Sequence, residues 1–545
     1  MSAVANQFYK RQRLLVVDDC SPIRNAIKGM LQTLGCEEIQ TACDGDRALV
    51  LCESHQFDIV LCDYNLGDGK DGYQLFEELK QRELIRPDAL FILISAENRR
   101  QVVHGVIELQ PDDYLIKPFT YTSLGKRLAR AFIKKHSLSA VYKAIRERNL
   151  ESAAAQCQIA IESAPEHQLF AKRMRAELLV KLGRYQQAFD LYGDVLAERD
   201  HAWAMLGLAI SRFHLGQVSD ARKMFQALLE RPEVQVEAFD WLGRIAIRKN
   251  ELTQAQEHFV EASKLSPRNI ERQRAIAHLA MANNELEMAV KAHKKIVEGI
   301  RHSVHETPLH HLNYARCLVD LAMESNDLVA VRCVNRSMEV LRDISRRFKS
   351  QQMESQNLIL QSRISVLKGD IPAARGMLDG DTLSTPLENI EDQLDKAKAL
   401  FGVGEPEQAD LVMNQIQQMR SDDELSMATL GVIVEREQHK QNVFNAKIKQ
   451  LNSDGMELYQ LGAFSESLEC FIEAFDMMPH SASLALNLAQ ALSKAWSSNL
   501  SRLQVLALGK RCKQVIESST LTDHNAKRYQ AIKLELDKVL TSPTR

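Results

Sequence analysis

The chain has 545 residues, with 69 basic side chains against 72 acidic ones and a formal net charge of −3. That length exceeds one hydrophobic core and calls for three or four domains, or for one domain followed by a repeat array. The near balance of charge excludes a field that would draw the chain to nucleic acid or to a membrane surface. No stretch reaches the roughly 18 apolar residues of a membrane span. Ten cysteines without a CxxC pair suit a reducing compartment better than a disulfide framework, so a cytoplasmic protein is expected.

Residues 1–12 read as a short tail with no apolar segment behind their charges. From 13 to 135, apolar runs at Leu14–Val17, Glu38–Thr41, Asp58–Cys62, Ala89–Ser95 and Tyr114–Ile116 alternate with amphipathic, helix-length segments. This is the pattern of an α/β doubly wound domain with five parallel strands. Ser21-Pro22 supplies an expected N-cap and first-turn proline, and Thr120 an N-cap after Pro118.

The strand ends carry the chemistry. Asp18 and Asp19 close the first run, Asp63 the third, Ser95 the fourth, and Lys117 follows the fifth. In a parallel sheet these ends gather at one edge. Three carboxylates would repel one another, and a hard divalent cation such as Mg²⁺ resolves this by taking oxygen ligands from Asp18, Asp19 and Asp63. Lys117 adds a point charge and Ser95 a hydroxyl donor. Asp63 stands alone at its strand end and is the natural nucleophile toward a phosphoryl group.

Val17-Asp18-Asp19, Cys62-Asp63-Tyr64-Asn65, Ile94-Ser95-Ala96-Glu97 and Tyr114-Leu115-Ile116-Lys117-Pro118-Phe119 together resemble the flavodoxin-like receiver domain of two-component response regulators. The resemblance covers roughly a quarter of the chain. It implies that a histidine kinase or phosphotransfer domain phosphorylates Asp63, with Mg²⁺ on Asp18, Asp19, Asp63 and the backbone carbonyl of Asn65. It makes Ser95 and Tyr114 a switch pair beside Lys117, and gives Asn65 and Glu97 a part in tuning water access. The fourth helix, fifth strand and fifth helix of that fold would change face on phosphorylation, and homodimerisation stays open. The only catalysis implied is of the domain's own phosphorylation and dephosphorylation. One departure stands in Leu66-Gly67-Asp68-Gly69-Lys70-Asp71-Gly72: Gly67 replaces the family's usual proline and one residue is extra, so a looser loop is expected.

Beyond Lys135 the chain reads as all-α. Gly183, Gly216, Asn250 and Asn284 recur at spacings of 33, 34 and 34, with Ala188, Ala221, Ala255 and Ala289 at the same intervals. The unit Leu242-Gly243, Ala246, Leu252, Ala255, Phe259, Ala262, Pro267 sets small residues where two helices cross and a ring between them. It resembles the tetratricopeptide repeat. Repeats are expected over 138–300, degenerate helical repeats over 301–440 and tetratricopeptide-like repeats over 441–545, stacking into a solenoid of roughly eight to ten hairpins with a groove. Arg173, Lys181, Arg244, Arg248, Arg274 and His278 would line that groove and suit an acidic partner segment. A cluster at His302, His305, His310 and His311 has zinc-like spacing but no nearby cysteine, and reads as a polar inter-helix loop.

Ser137-Leu138-Ser139 is the one short break between the last helix of the α/β domain and the first repeat helix, which argues for a stiff junction. The function expected is a signalling protein whose output is protein binding by the repeats. No basic helix-turn-helix stands out for DNA. The alternatives are a phosphoryl sink and a scaffold or inhibitor of a sensor kinase that works without phosphorylation.

Overall fold

The computed structural model describes residues 10–96, 105–106, 108–163, 165–379, 387, 389–419, 423–494, 500–519 and 521–541. The α/β domain runs β1 (Arg13–Val17), α1 (Ser21–Thr33), β2 (Glu38–Ala42), α2 (Gly45–Ser54), β3 (Ile59–Asp63), α3 (Gly72–Gln81), β4 (Leu90–Ser95), β5 (Asp113–Ile116) and α4 (Tyr121–His136). All five strands are parallel, in the order β2-β1-β3-β4-β5. Successive strand side chains point to opposite faces, which splits the core in two. Val17, Cys62 and Leu93 meet Leu75 and Leu79 of α3 on one face, and Val16, Leu61 and Ile94 meet Leu31 of α1 and Leu128 of α4 on the other. Burial on both faces is why the central strands read as continuous apolar runs.

One local expectation is corrected. The N-cap of α1 is Cys20, without a side-chain cap bond, and Ser21 is already helical, while Pro22 stands in the first turn as expected. The cause is Asp18, whose carboxylate accepts the Cys20 N–H at 2.9 Å and turns the chain one residue earlier. The loop after β3 is tied down at Lys70, which is 7 % exposed and ion-paired with Glu78, while residues 67–69 are exposed. Gly67 and Gly69 take φ of +75° and +106°, a region that favours glycine. Gly72 lies so close to β3 that a Cβ there would sit 2.1 Å from the Asp63 carbonyl oxygen. Thr120 caps α4 as expected, accepting from Ser123 N–H at 3.2 Å.

After α4 the chain is helical. Leu138 is buried at the break, and Lys135 reaches back to Asp112 at 2.9 Å. There follow α5 (Ser139–Arg146), α6 (Leu150–Ser163), α7 (Gln168–Lys181), α8 (Tyr185–Glu198), α9 (Ala202–His214), α10 (Val218–Leu228), α11 (Gln235–Arg248), α12 (Leu252–Leu265), α13 (Ile270–Ala282) and α14 (Leu286–Ile300). Then come α15 (Pro308–Glu324), α16 (Asp327–Arg347), α17 (Gln351–Leu367), α18 (Ile371–Leu378), α19 (Ile390–Gly402), α20 (Pro406–Ile416), α21 (Glu424–Gln460), α22 (Phe464–Met477), α23 (Ala482–Lys494), α24 (Arg502–Glu517) and α25 (Asp523–Thr541).

The chain divides into two compact units, Met1–Asn283 with Lys291–Thr307, and Asn284–Val290 with Pro308–Arg545. In the first, α7 pairs with α8, α9 with α10 and α11 with α12. Gly183, Gly216 and Asn250 take positive φ of 71°, 83° and 60° at the turns, the left-handed conformation that stops a helix. Ala188, Ala221 and Ala255 are fully buried. At the α11/α12 crossing a Cβ on Gly243 would lie 2.6 Å from the Phe259 ring, so only glycine lets the helices approach this closely.

In the second unit α15/α16, α17/α18, α19/α20 and α21/α22 pair likewise. The boundary expected at 440 falls inside α21, which is continuous for 37 residues. Asn452-Ser453-Asp454-Gly455 has low helix propensity but stays helical. The ring of Phe471 occupies the place of a Gly455 side chain, 2.8 Å from where its Cβ would be, and packing overrides propensity.

Candidate functional site

β1, β3, β4 and β5 deliver Asp18, Asp19, Asp63, Ser95 and Lys117 to one edge of the sheet, as expected. Carboxylate oxygens of Asp18, Asp19 and Asp63 lie within 4.8 Å of one another. Lys117 Nζ donates to Asp18 Oδ2 at 2.9 Å and to Asp63 Oδ2 at 2.8 Å. Asp18 is fully buried, Asp63 is 9 % exposed and Asp19 is exposed.

Burial pushes the Asp63 carboxyl above its ordinary range; Lys117 opposes this and Asp18 adds to it. Burial also works against the Lys117 ammonium, yet Asp63 and Asp18 hold it above its ordinary value. A balanced ion pair would lower the carboxyl while raising the amine. Here both rise, because burial of Asp63, with Asp18 adding to it, outweighs what Lys117 returns, while Asp63 and Asp18 together hold the ammonium charged. An all-oxygen donor set short of positive charge fits a hard divalent cation such as Mg²⁺.

Ser95 is 2 % exposed, and its carbonyl accepts the Lys117 N–H at 2.8 Å, which fixes the backbone that carries the lysine. Tyr114 packs against the core on the α2/α3 face. Asn65 Oδ1 accepts the Gly67 N–H at 3.3 Å and shapes the loop. Glu97 lies outside the described residues.

The six groove candidates divide by partner. Arg244 lies over the Trp241 ring at 4.9 Å and Arg248 over Phe213 at 5.4 Å. Both depress His214, though less than its burial does, and His214 stacks on Tyr185 at 4.4 Å. Arg173 pairs with Glu177 at 2.8 Å and lies over Trp203; Arg274 pairs with Glu271 at 2.9 Å. Lys181 is exposed at the end of α7, and His278 is half-buried on α13. His305 of the histidine cluster is engaged by Glu77 at 2.9 Å.

Sequence reasoning missed a set of residues between the α/β domain and the repeats of the first unit. Arg268 donates to Asp71 at 2.6 Å, and Arg272, 2 % exposed, joins Glu108 to Asp240 at 2.6 Å each. The only signal was position: Arg268 follows Pro267, at the turn that ends a repeat.

Residues 14–129 match the family of the response regulator receiver domain, and residues 179–235 match a tetratricopeptide repeat family. The chain is 31 % identical over 132 residues to the chemotaxis protein CheY-3 of Vibrio cholerae serotype O1, covering 24 % of this chain and 98 % of that one. It is 34 % identical over 126 residues to the probable transcriptional regulator ycf27 of Cyanidium caldarium, covering 23 % of this chain and 48 % of that one. Among solved structures, the chemotaxis response regulator CheY4 of Vibrio cholerae is similar at 25 % identity and a TM-score of 0.21, covering 22 % of this chain and 98 % of that one. No described helix is long and apolar enough to cross a membrane.

Proposed function

This chain belongs to the two-component response regulators, with a receiver domain ahead of tetratricopeptide repeats, and from that premise we propose that Asp63 takes a phosphoryl group from a histidine kinase or phosphotransfer protein and that the repeats deliver the output by binding another protein. The observation that carries this reading is the Lys117 bridge between Asp18 and Asp63, at 2.9 and 2.8 Å, in a site with more carboxylates than cations.

In the transfer, an Asp63 carboxylate oxygen attacks phosphorus. The phosphorus–nitrogen bond of the donor phosphohistidine breaks, its electron pair returns to the imidazole, and an acyl phosphate remains on Asp63. Asp18, Asp19, Asp63 and the Asn65 carbonyl would hold Mg²⁺, which supplies charge neutralisation for the incoming anion. Lys117 then exchanges its bond to Asp63 for one to a phosphoryl oxygen. The Ser95 hydroxyl donates to another, and Tyr114 follows it inward. Asn65 and Glu97 set water access to the acyl phosphate, and hence its lifetime.

The receiver spans 13–135, with repeats from 138 onward. Arg244 and Arg248, held over aromatic rings, give the repeats a cationic surface suited to an acidic protein segment. Ten cysteines, none of them in a disulfide, favour the cytoplasm. Treatment with acetyl phosphate and Mg²⁺, read by intact mass, should add one phosphoryl group to the wild type and none to Asp63→Asn. A partner captured equally by both proteins would replace the phosphorylation-dependent output with a constitutive scaffold.

A further inference from the structure

Within the first unit, the receiver meets the repeats through the segment that directly follows Asp63. Arg268, in the turn between α12 and α13, donates to Asp71 at 2.6 Å and lies over the rings of Tyr64 at 5.1 Å and Tyr73 at 5.8 Å. Asp71 is the N-cap of α3 and forms a reciprocal capping box with Gln74. Gln74 Nε2 in turn donates to the carbonyls of Gly299 and Arg301, both at 3.0 Å. Lys70 Nζ donates to the His302 carbonyl at 2.9 Å. The repeats therefore grip this segment at three points, Lys70, Asp71 and Gln74.

The same loop is fixed to the phosphoacceptor at both ends. Tyr64 N–H donates to the Ile94 carbonyl at 2.7 Å, and Gly72 N–H donates to the Tyr64 carbonyl at 2.9 Å. Gly72 abuts the Asp63 carbonyl with no room for a side chain. Close-packed segments of this kind shift as a body rather than stretch. A change at Asp63 or at the Asn65 carbonyl must therefore reach Asp71 and Gln74, where the repeats hold on.

We infer that Arg268 is a positioning residue through which the repeats hold the loop after Asp63 in its unphosphorylated arrangement, so that phosphorylation and release of this clamp oppose one another. The inference rests on the proposed phosphoacceptor role of Asp63. Its sign comes from Lys117, which bridges Asp18 and Asp63 while the clamp is closed, an arrangement that a phosphoryl group displaces. Contacts that favour one state reduce affinity for a ligand of the other, and the coupling is reciprocal.

The test uses the full chain as wild type, Arg268→Gln, Arg268→Lys and Gln74→Ala, with beryllofluoride and Mg²⁺ as the phosphoryl mimic. Arg268→Gln should bind beryllofluoride about fivefold more tightly or better, with unchanged helical circular dichroism. Arg268→Lys should fall between it and wild type, since lysine keeps the charge but not the planar stacking. Gln74→Ala should shift affinity the same way and serves if Arg268→Gln misfolds. In wild type, beryllofluoride should speed amide exchange across residues 299–302. Normal binding by wild type with equal or weaker binding by all three variants would overturn the inference alone. No binding of beryllofluoride and no phosphoryl uptake by wild type would overturn the proposed function, and the inference with it.

Discussion

Asp18 and Asp63 in the first unit, and Asp320, Asp392 and Asp395 in the second, are all carboxylates taken largely out of water, yet their surroundings treat them in opposite ways. In the second unit Arg316 pairs with Asp392 and, at 2.5 Å, with Asp395. Arg363 joins Asp395 to Asp320 at 2.5 Å each, and Lys398 reaches Asp320 at 3.0 Å. Three cations meet three anions. Burial opposes the Asp320 charge, but Lys398 and Arg363 outweigh it and hold that carboxyl far below the ordinary range. In the receiver, one lysine is shared between Asp18 and Asp63, and burial, with Asp18 adding to it, pushes Asp63 up instead. Charge balance, not residue type or burial, separates a structural cross-link of helices from a site that demands a cation and an incoming group.

The sharpest way to break this contrast is to remove one member of the balanced cluster. Asp395→Ala leaves Arg316 and Arg363 each short of a partner and should cost the second unit about 3–5 kcal/mol, read by urea unfolding, while phosphoryl uptake at Asp63 stays as in wild type. A loss below about 1 kcal/mol would mean that the network is wet or redundant. Next in size is the metal. Mg²⁺ at a hundredfold excess over its dissociation constant should stabilise the receiver by about 2.7 kcal/mol and leave the unfolding of the second unit unmoved; equal shifts in both would remove the distinction.

Asp63→Asn carries a smaller stability effect with an informative sign. A carboxyl whose folded pKa is raised gives stability present at low pH and lost as pH rises through the folded value. At neutral pH the ionised Asp63 is therefore a cost. The metal-free variant should melt somewhat higher than wild type, although it takes up no phosphoryl group, and a lower melting temperature would show that Lys117 more than balances the site.

Much of the receiver was legible because its signals are local. Strand ends fell within one residue of the apolar runs, and Asp18, Asp19, Asp63 and Lys117 meet because a parallel sheet brings successive carboxyl ends together. The repeat period was legible for a similar reason: a positive φ at Gly183, Gly216 and Asn250 needs glycine or asparagine at each turn. What escaped depends on residues far apart in the chain. The continuity of α21 through Gly455 rests on Phe471, which packs against it from another helix. The Lys70–Glu78 pair that tightens the loop after β3, and the Arg268–Asp71 contact across 197 positions, have no local pattern to announce them. The six groove cations rested on resemblance to the inner-helix positions of the repeat, where acids such as Glu177 are fewer, yet Glu177 and Glu271 engage two of the six.

Between the closed network and the open site lies a third kind of ion pair, and it gives the smallest effect. His305 Nε2 stands 2.9 Å from Glu77, with side chains 34 % and 24 % exposed. The hydrogen bond to Glu77 raises the imidazole pKa above 6.5, burial lowers it, and the charges of Glu77 and Glu271 raise it again, for a net increase. A raised folded pKa means that the contribution is fully present below about pH 6.5, the unfolded value, and is lost as pH rises through the folded one. Solvent screening limits such a pair to about 1 kcal/mol at most. The stability of wild type relative to Glu77→Gln should therefore fall as pH is raised from about 6 to about 8. Because His305 belongs to the segment that also carries the Gly299, Arg301 and His302 carbonyls gripping the receiver, acid should tighten the clamp and weaken beryllofluoride binding in wild type more than in Glu77→Gln. Parallel pH profiles for the two proteins would show that His305 is uncharged in the pair, leaving charge balance without its intermediate case.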